Sequence, residues 1–445
     1  MTDGLGKKTP PSQRAHRAPA PQRAITEGAT RRTADCRTDR RWTAAAWPVA
    51  IIVFLHRLIA VAFTPQRRTD DFSPVYYALQ AFLRGEAIYD QDYSSVVPHY
   101  LYNPGATLLL SPLGAIPSEG VARLFFVGVN LAAIVAALAI LCRLVGRSLR
   151  GPVWPVSIAL ALATEAVTHT VEFGNINGIL LLALVGFLWA FARARNAHRG
   201  FQWLAGSVLG LAIIVKPQFA PLLLLPLWQL QWRPFVPALG IPLALNAVAW
   251  PLVADTDNFV HRLLPYLGQT RDYANSSLPG IALYFGVPKW LEMSLWLLFA
   301  VVAVVGFVAL GKLRKTEFIV WSLTASSFIL LGVMFLSSLG QQYYSQWLFP
   351  LLFTVLLPRS VMHSSWSWVG AVLCLFPGAW ANTLNADWGR WATFFTGTFG
   401  WAILLCSIAG AACGWVASGW ASRSWPARGW TANRRGERMG VKSAS

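Results

Sequence analysis

The sequence is poor in charged residues, which make up 13% of its 445 residues, whereas 55% are hydrophobic. Soluble domains carry about 25% charged residues, so this scarcity excludes an ordinary soluble protein. Long apolar runs fill the chain from Trp42 to Trp420, and each is near the length of a membrane-crossing helix. Because these runs are continuously apolar rather than alternating, they indicate helices and not a membrane β-barrel. The sequence therefore predicts an all-α polytopic membrane protein.

Cysteine and the common catalytic motifs are also scarce. The five cysteines lie in the N-terminal tail and in or beside apolar runs, so we expect no disulfide framework and no zinc site. The sequence contains no HExxH, P-loop or GxGxxG motif. We therefore expect no cofactor and no required metal, although a cation held by paired aspartates is left open.

Negative charge is the scarcer sign, and the net charge of +18 is unevenly placed. The excess of Lys and Arg lies in both tails and in short loops at 143–150, 193–199, 233, 312–315 and 359. Basic residues that flank apolar spans mark the cytoplasmic side and attract anionic lipid. The charge is therefore a topology signal, and we expect no nucleic-acid partner. Both termini are expected in the cytoplasm, in a multi-pass plasma-membrane protein.

Composition divides the chain into three parts. Residues 1–42 are rich in Pro, Arg, Thr and Ala and are predicted to be a disordered basic cytoplasmic tail. Residues 43–420 form the transmembrane domain, which begins with an uncleaved span, and 421–445 form a second basic cytoplasmic tail. We predict about 12 spans, with 10 to 13 as the range. They lie near 43–64, 121–142, 152–172, 178–194, 203–215, 217–230, 234–254, 290–311, 318–338, 346–358, 366–381 and 394–418.

The first outside loop, residues 65–120, is unusually long. Residues 73–89 have the apolar spacing of an amphipathic helix lying in the membrane interface. The run 105–117 is too short to cross a bilayer and is punctuated by prolines. We predict that it is a re-entrant helix, because irregular backbone at that depth is tolerated only inside protein or beside a wet cavity.

Polar side chains collect on the predicted outer, periplasmic side, beginning with Asp70 and Asp71 directly after the first span. A carboxylate beside a substrate hydroxyl can take its proton during attack. Two adjacent acids repel each other, which can separate their pKa values. We assign Asp71 as the catalytic base and Asp70 as helper or alternate; the competing interpretation is a solvated helix cap.

Cations near the membrane suggest a lipid-linked phosphate. His56 and Arg57 lie inside the first span, where an ionisable residue is costly and indicates function. Arg57 could hold a phosphate through its two-pronged geometry, and Lys216 could make a similar contact. The alternative is that both side chains snorkel to the interface.

The remaining candidates are predicted to bind substrate. Glu165, His169 and Glu172 share one helix face and could form a polar wall, or an interhelical network with no ligand. Asn175 and Asn177 could contact substrate, or could cap and turn the chain. The other candidates, some of which could be ordinary interface residues, are His99, Tyr102, Arg271, Asn275, Gln341 and Tyr344.

Several of these segments resemble glycosyltransferase family 87. The resembling segments are Asp71-Phe72, Val75-Tyr76-Tyr77, Gly85, Ile88-Tyr89, Asn175-x-Asn177-Gly178 and Lys216-Pro217. That resemblance implies a GT-C-type bundle that uses polyprenyl-phosphate sugars. Residues 69–76, 98–102, 270–277 and 284–286 resemble the α-(1→3)-arabinofuranosyltransferases within the family.

The narrower resemblance implies a reaction. The donor would be decaprenyl-phosphoryl-arabinose, and the acceptor an arabinan chain of arabinogalactan or lipoarabinomannan in the cell wall. The enzyme would add an α-(1→3)-linked arabinofuranosyl branch with inversion, and Asp71 would be its general base. A polyprenyl-phosphate-mannose-dependent α-mannosyltransferase is the alternative enzyme. A lipid-linked-sugar transporter or flippase is the alternative from another class, and would show internal repeats and polar groups at mid-depth.

Overall fold

The computed structural model describes residues 22–63, 70–94, 98–195, 199–380 and 386–419. Every regular element in these ranges is a helix, which confirms the predicted all-α class. The first half comprises α1 (Gln22–Phe63), α2 (Phe72–Leu83), α3 (Pro104–Leu110), α4 (Glu119–Leu144), α5 (Val153–Ala163), α6 (Glu165–Glu172), α7 (Asn177–Ala194), α8 (Arg199–Val215) and α9 (Leu224–Trp228). The second half comprises α10 (Phe235–Ala249), α11 (Thr256–Asn258), α12 (Leu264–Gly268), α13 (Leu278–Tyr284), α14 (Lys289–Leu310), α15 (Phe318–Leu336), α16 (Phe349–Phe353), α17 (Ser365–Leu375) and α18 (Ala386–Ala417).

Seven helical segments in the described residues are long and apolar enough to cross a membrane. They are Asp39–Ala60, Glu119–Leu144, Asn177–Ala194, Phe235–Leu252, Lys289–Arg314, Phe318–Leu336 and Phe395–Ala417. The other five predicted spans correspond to shorter or interrupted helices. The chain is thus a membrane protein, and seven span-length helices stand where about 12 spans were predicted.

Local chemistry explains the interruptions. The predicted span 152–172 breaks at Thr164, where the backbone is extended instead of helical. The Thr164 hydroxyl accepts a hydrogen bond from the Val167 N–H at 3.3 Å. This side chain caps α6 and separates it from α5. In the predicted span 217–230, closely spaced prolines give a 3-10 turn at Pro217–Leu223 before the short α9. Proline removes the N–H that a continuous α-helix needs.

The first helix differs from its prediction at the N-terminal end. α1 begins at Gln22, so the second half of the segment predicted as a disordered tail is helical. Its first residues lack apolar periodicity, which is why composition alone indicated disorder. Residues 1–21 and the predicted C-terminal tail 421–445 lie outside the described residues.

The two special elements of the first outside loop are present as short helices. α2 ends at Leu83, earlier than the predicted 89, and Gly85 follows with a left-handed φ of 71°. α3 begins at Pro104 behind Asn103, whose side-chain oxygen accepts from the Ala106 N–H at 3.0 Å. The backbone of α3 also packs against α10, where the Gly105 N–H donates to Asn246 Oδ1 at 2.9 Å. α3 is therefore a short helix that packs against α10, and its re-entrant position in the membrane stays a prediction.

The outer loops are tied together by Asp255. Its two carboxylate oxygens accept the backbone N–H groups of Ile88 at 3.0 Å and Tyr89 at 2.6 Å. The Tyr89 hydroxyl donates to the Tyr102 carbonyl at 2.9 Å. These bonds join the segment between α2 and α3 to the segment between α10 and α13 (the second outer loop), and the two segments form one cover over the bundle.

Candidate active site

A cavity of about 320 Å³ opens beneath this cover. It is lined by the start of α2, the segment 98–102, the turn before α7, residues 215–218, and the two later stretches 267–271 and 338–344. Eight predicted site residues line it: Asp71, His99, Tyr102, Asn175, Lys216, Arg271, Gln341 and Tyr344. The fold therefore brings into one chamber groups that are far apart in the sequence.

Asp71 presents its carboxylate to the cavity. Its Oδ2 lies 3.0 Å from the Tyr343 hydroxyl, which also contacts Gln341. The Tyr343 hydroxyl has one proton, which it can donate to Asp71 or to Gln341 Oε1, and the Tyr344 hydroxyl also donates to Gln341 Oε1 at 3.0 Å. Burial raises the pKa of Asp71 to about 6, against the lowering effects of Tyr343 and Lys216. A carboxylate with this pKa is ionised at neutral pH yet remains a useful proton acceptor.

Asp70 has a different environment, although it is the neighbouring residue. It is 3% exposed and does not line the cavity. Its Oδ2 lies 2.7 Å from Arg123 Nε, and its Oδ1 accepts the Phe72 N–H at 2.8 Å. Arg123 also donates to the Glu172 carbonyl at 2.6 Å. Both Asp70 oxygens are thus engaged in holding α2, α4 and the end of α6 together.

The turn after α6 fixes the position of this acidic pair. The Asp71 N–H donates to the Phe173 carbonyl at 2.9 Å. The next residue, Gly174, has a left-handed φ of 62°, and a Cβ there would lie 2.8 Å from the Phe72 Cβ. Only glycine allows this close approach, which brings Asn175 beside Asp71.

Lys216 lies at the back of the cavity in an aromatic setting. Its Nζ is 3.9 Å from the centre of the Tyr344 ring and 5.1 Å from that of Trp347. It donates a hydrogen bond to Asn177 Oδ1 at 2.8 Å. Burial lowers the pKa of Lys216 to about 7, and the negative charge of Asp71 opposes that change. The protonation of Lys216 near neutral pH therefore depends on the charge of the groups that lie beside it in the cavity.

Arg271 supplies a second cation, from the outer loop. Its guanidinium lies over the Tyr266 ring at 4.6 Å from the centroid, which holds the side chain at the cavity wall. Asp71, Lys216 and Arg271 make the chamber suitable for a hydroxyl-bearing molecule beside an anionic group.

Other predicted site residues lie outside this chamber. His56 is exposed on α1, and Arg57 Nε donates to the Leu162 carbonyl at 3.0 Å.

Glu165 accepts from the Gly378 N–H at 2.7 Å and from Gln342 at 3.3 Å, while His169 packs on Phe173. The contacts of Glu165 agree with the alternative interpretation given above for the face of Glu165, His169 and Glu172, which is an interhelical network without a ligand.

The Asn275 side chain holds two loop segments together through hydrogen bonds to four backbone groups. Its amide nitrogen donates to the carbonyls of Arg271 and Ser338, at 3.0 and 2.8 Å. Its oxygen accepts the N–H groups of Ser277 and Gly340, at 3.1 and 2.9 Å. The residue therefore sets the position of Arg271 without reaching the cavity itself.

Sequence reasoning missed or undervalued three residues. Arg123 was not considered, although an arginine in the first turn of an apolar helix is a recognisable signal. Tyr343 is not among the predicted site residues, although it lies between Gln341 and Tyr344, and Gln218, which also lines the cavity, has no signal beyond its position after Lys216-Pro217. No group of three or more metal-ligating His, Cys, Asp or Glu residues occurs in the described part of the chain.

Comparison with known proteins places this chain in a family. The model of glycosyltransferase family 87 matches residues 100–338. The chain belongs to glycosyltransferase family 87. It is thus a membrane-bound glycosyltransferase, as the sequence resemblance implies.

Its relatives in the family are named for two sugars. An α-(1→3)-arabinofuranosyltransferase of Corynebacterium glutamicum is 47% identical over 369 residues, which cover 83% of this chain and 87% of that protein. One of Mycobacterium tuberculosis with the same name is 41% identical, covering 81% and 82%. A polyprenol-phosphate-mannose-dependent α-(1-2)-phosphatidylinositol pentamannoside mannosyltransferase of Mycolicibacterium smegmatis is 28% identical over 171 residues, covering 38% and 39%. No solved structure matches the chain.

Proposed function

We propose that this family 87 member is an inverting α-(1→3)-arabinofuranosyltransferase. The likeness of 47% over most of the chain to a protein of that name carries the proposal. The proposed donor is decaprenyl-phosphoryl-arabinose, and the proposed acceptor is an arabinan chain of the cell wall. The weaker and shorter likeness to a mannosyltransferase makes mannosyl transfer the second candidate.

The cavity supports an in-line displacement. Asp71 takes the proton of the acceptor 3-hydroxyl as that oxygen attacks the anomeric carbon of the donor. The bond between the anomeric carbon and the phosphate oxygen breaks, and polyprenyl phosphate leaves with the bonding electrons. Because attack comes from the face opposite the phosphate, a β-linked donor gives an α-linked product. The phosphate is a good leaving group, so one carboxylate base is sufficient.

Lys216 and Arg271 are proposed to hold the donor phosphate. Both line the cavity, and both are positioned by aromatic rings. Arg57, the sequence-based candidate, donates to a backbone carbonyl of α5 instead. The phosphate would thus be bound by cations from the turn after α8 and from the second outer loop.

The proposed orientation places the cavity on the periplasmic side and the termini in the cytoplasm. The basic loops collect together away from the cavity: Arg147 donates to the Leu356 carbonyl, and Arg195 to the Lys315 carbonyl. Positive charge gathered at one end of a bundle supports a cytoplasmic location for that end.

A membrane assay tests the proposed function. Membranes containing the enzyme are supplied with lipid-linked arabinofuranose and a synthetic linear arabinan, and linkage analysis identifies the product. A new 3-linked branch supports the proposal. Transfer of mannose from its polyprenyl phosphate, with no use of arabinofuranose, would establish the second candidate. Passage of lipid-linked sugar across the bilayer without transfer would contradict both.

Activity is expected to depend on pH through Asp71 and Lys216. Below about pH 6 Asp71 becomes protonated and cannot accept the hydroxyl proton, so kcat/KM should fall about tenfold per pH unit. Above about pH 7 Lys216 loses its charge and with it the attraction for the donor phosphate, so kcat/KM for the donor should fall again. Initial rates over a pH series measure both limbs. In Lys216→Arg the alkaline limb should disappear; its persistence would rule out Lys216 as its source.

Arg271→Gln is expected to weaken donor binding. A charge-assisted contact contributes about 1.5–3 kcal/mol, so the donor KM should rise about 10- to 100-fold, with the acceptor KM nearly unchanged. Arg271→Lys should be intermediate, because lysine keeps the charge but loses the two-pronged geometry. Arg262→Gln is the matched control, since Arg262 is an exposed outer-loop arginine paired with Asp90. Equal donor KM values for the Arg271 and Arg262 variants would contradict the assignment.

A further inference from the structure

Two asparagines before α7 form a directional chain of hydrogen bonds that starts at Lys216. Lys216 Nζ donates to Asn177 Oδ1 at 2.8 Å. Asn177 Nδ2 then donates to Asn175 Oδ1 at 2.7 Å, and the Asn177 backbone N–H donates to the same oxygen at 3.2 Å.

The direction of this chain is fixed by chemistry. An ammonium group and a backbone N–H can donate hydrogen bonds but cannot accept them. Asn177 must therefore turn its oxygen toward Lys216, and Asn175 must turn its oxygen toward Asn177. The Asn175 amide nitrogen is left as the free end of the chain.

This free end lies at the cavity. Asn175 lines the cavity and is 8% exposed, and its Nδ2 makes no hydrogen bond of normal geometry to the described residues. A buried donor without a partner costs free energy, whereas a ligand oxygen that accepts from it recovers that cost. The Asn175 amide also acts as a donor toward the neighbouring Asp71 carboxylate, which lowers the pKa of Asp71. An amide nitrogen carries two N–H groups, so one remains for a ligand oxygen.

We propose that Asn175 Nδ2 donates a hydrogen bond to the oxygen of the acceptor sugar hydroxyl whose proton Asp71 removes. This assignment rests on the proposed glycosyl transfer and adds the residue that orients the nucleophile. A hydroxyl has one proton and two lone pairs. Its proton goes to Asp71, one lone pair accepts from Asn175, and the second lone pair is left to attack the anomeric carbon.

The arrangement selects for a hydroxyl in a fixed orientation. Holding a nucleophile with its lone pair aimed at the reacting carbon is a large part of what an enzyme contributes to such a step. Charged Lys216 and the Asn177 backbone N–H together set the direction of the chain, so the cation that is proposed to bind the donor phosphate also helps to orient the group that holds the acceptor. Donor and acceptor binding are thereby connected through two side chains.

The test compares wild type with Asn175→Ala and Asn175→Asp in membranes, using the lipid-linked arabinofuranose and linear arabinan assay. Alanine removes the donor, and aspartate replaces it by an acceptor of the same shape. Both variants should lower kcat/KM for the acceptor about 10- to 100-fold, with the donor KM changed less than about twofold. In Asn175→Ala the acidic limb of the pH profile should also move to higher pH, because the Asp71 carboxylate loses a stabilising neighbour.

Asn246→Asp is the matched control, since Asn246 hydrogen-bonds only backbone groups, the Gly105 N–H of α3 and the Pro242 carbonyl of α10, and does not line the cavity. Wild-type acceptor kcat/KM in both Asn175 variants would overturn the assignment. So would an equal change in donor KM and acceptor KM with an unmoved pH limb, which would indicate a structural role. If wild type transfers no arabinofuranose, the proposed function fails. Arabinan binding by saturation-transfer NMR, wild type against Asn175→Ala, then decides the assignment alone.

Discussion

Asp71→Asn is expected to reduce sugar transfer about 100- to 10,000-fold, the range typical for loss of a positioned general base. The amide keeps the size of the carboxylate, and its oxygen can still accept from Tyr343, which lies 3.0 Å from Asp71 Oδ2. What it loses is the ability to take the acceptor proton. Product formed per amount of membrane-inserted protein measures the effect.

Asp257→Asn is the control for this experiment. Asp257 is an exposed acid in α11, and the cavity does not include it. Its variant should retain wild-type turnover. Substantial transfer by Asp71→Asn would show that another group removes the proton.

Arg123→Met is expected to cost about 3–5 kcal/mol of stability, the usual cost of leaving one partner of a buried ion pair alone. Asp70 and Arg123 lie 2.7 Å apart, with side chains only 2% and 9% exposed. Methionine fills similar space but leaves the Asp70 carboxylate buried without its cation. The melting temperature in detergent and the yield of inserted protein measure the loss.

A second substitution separates charge from packing. Asp70→Asn keeps an oxygen for the Phe72 N–H and removes the uncompensated charge, so the double variant with Arg123→Met should be more stable than Arg123→Met alone. The double-mutant cycle gives the coupling between the two side chains. A double variant no more stable than Arg123→Met alone would show that packing, and not the ion pair, dominates.

The two adjacent aspartates thus have separable tasks. Asp70 has both oxygens engaged by protein groups, whereas Asp71 faces the cavity. Changes at Asp70 should alter how much enzyme is present, and changes at Asp71 how fast each molecule works. The sequence could place this pair at the outer surface but could not divide the tasks, because the division depends on Arg123 in another helix.

Hydropathy and charge predicted the helical class because burial in lipid demands continuous apolar runs. They did not locate the helix interruptions, which depend on local groups: the Thr164 hydroxyl that caps α6, and the prolines after Lys216. The length of an apolar run can be read from the sequence, but whether its residues form one uninterrupted helix cannot. The predicted count of spans was correspondingly higher than the number of span-length helices.

The candidate site was predictable where residues flank spans on the outer side, as with Asp71 and Lys216. It was not predictable where the rotation of a helix determines whether a side chain points toward the cavity or toward another helix. Arg57 lies at a suitable depth, but α1 turns it toward α5. Glu165 shares a face with His169, and that face contacts Gln342 and Gly378 instead of the cavity. Facing is set by contacts between distant segments, which a single sequence does not display.

The contact between Asp71 and Tyr343 joins residues 272 positions apart. During synthesis the aspartate enters the membrane long before the tyrosine leaves the ribosome. Every element from α2 to α15 must therefore be inserted before the base acquires its partner. A nascent or truncated chain carries Asp71, the proposed base, without its setting, so unfinished copies of the enzyme are expected to be inactive.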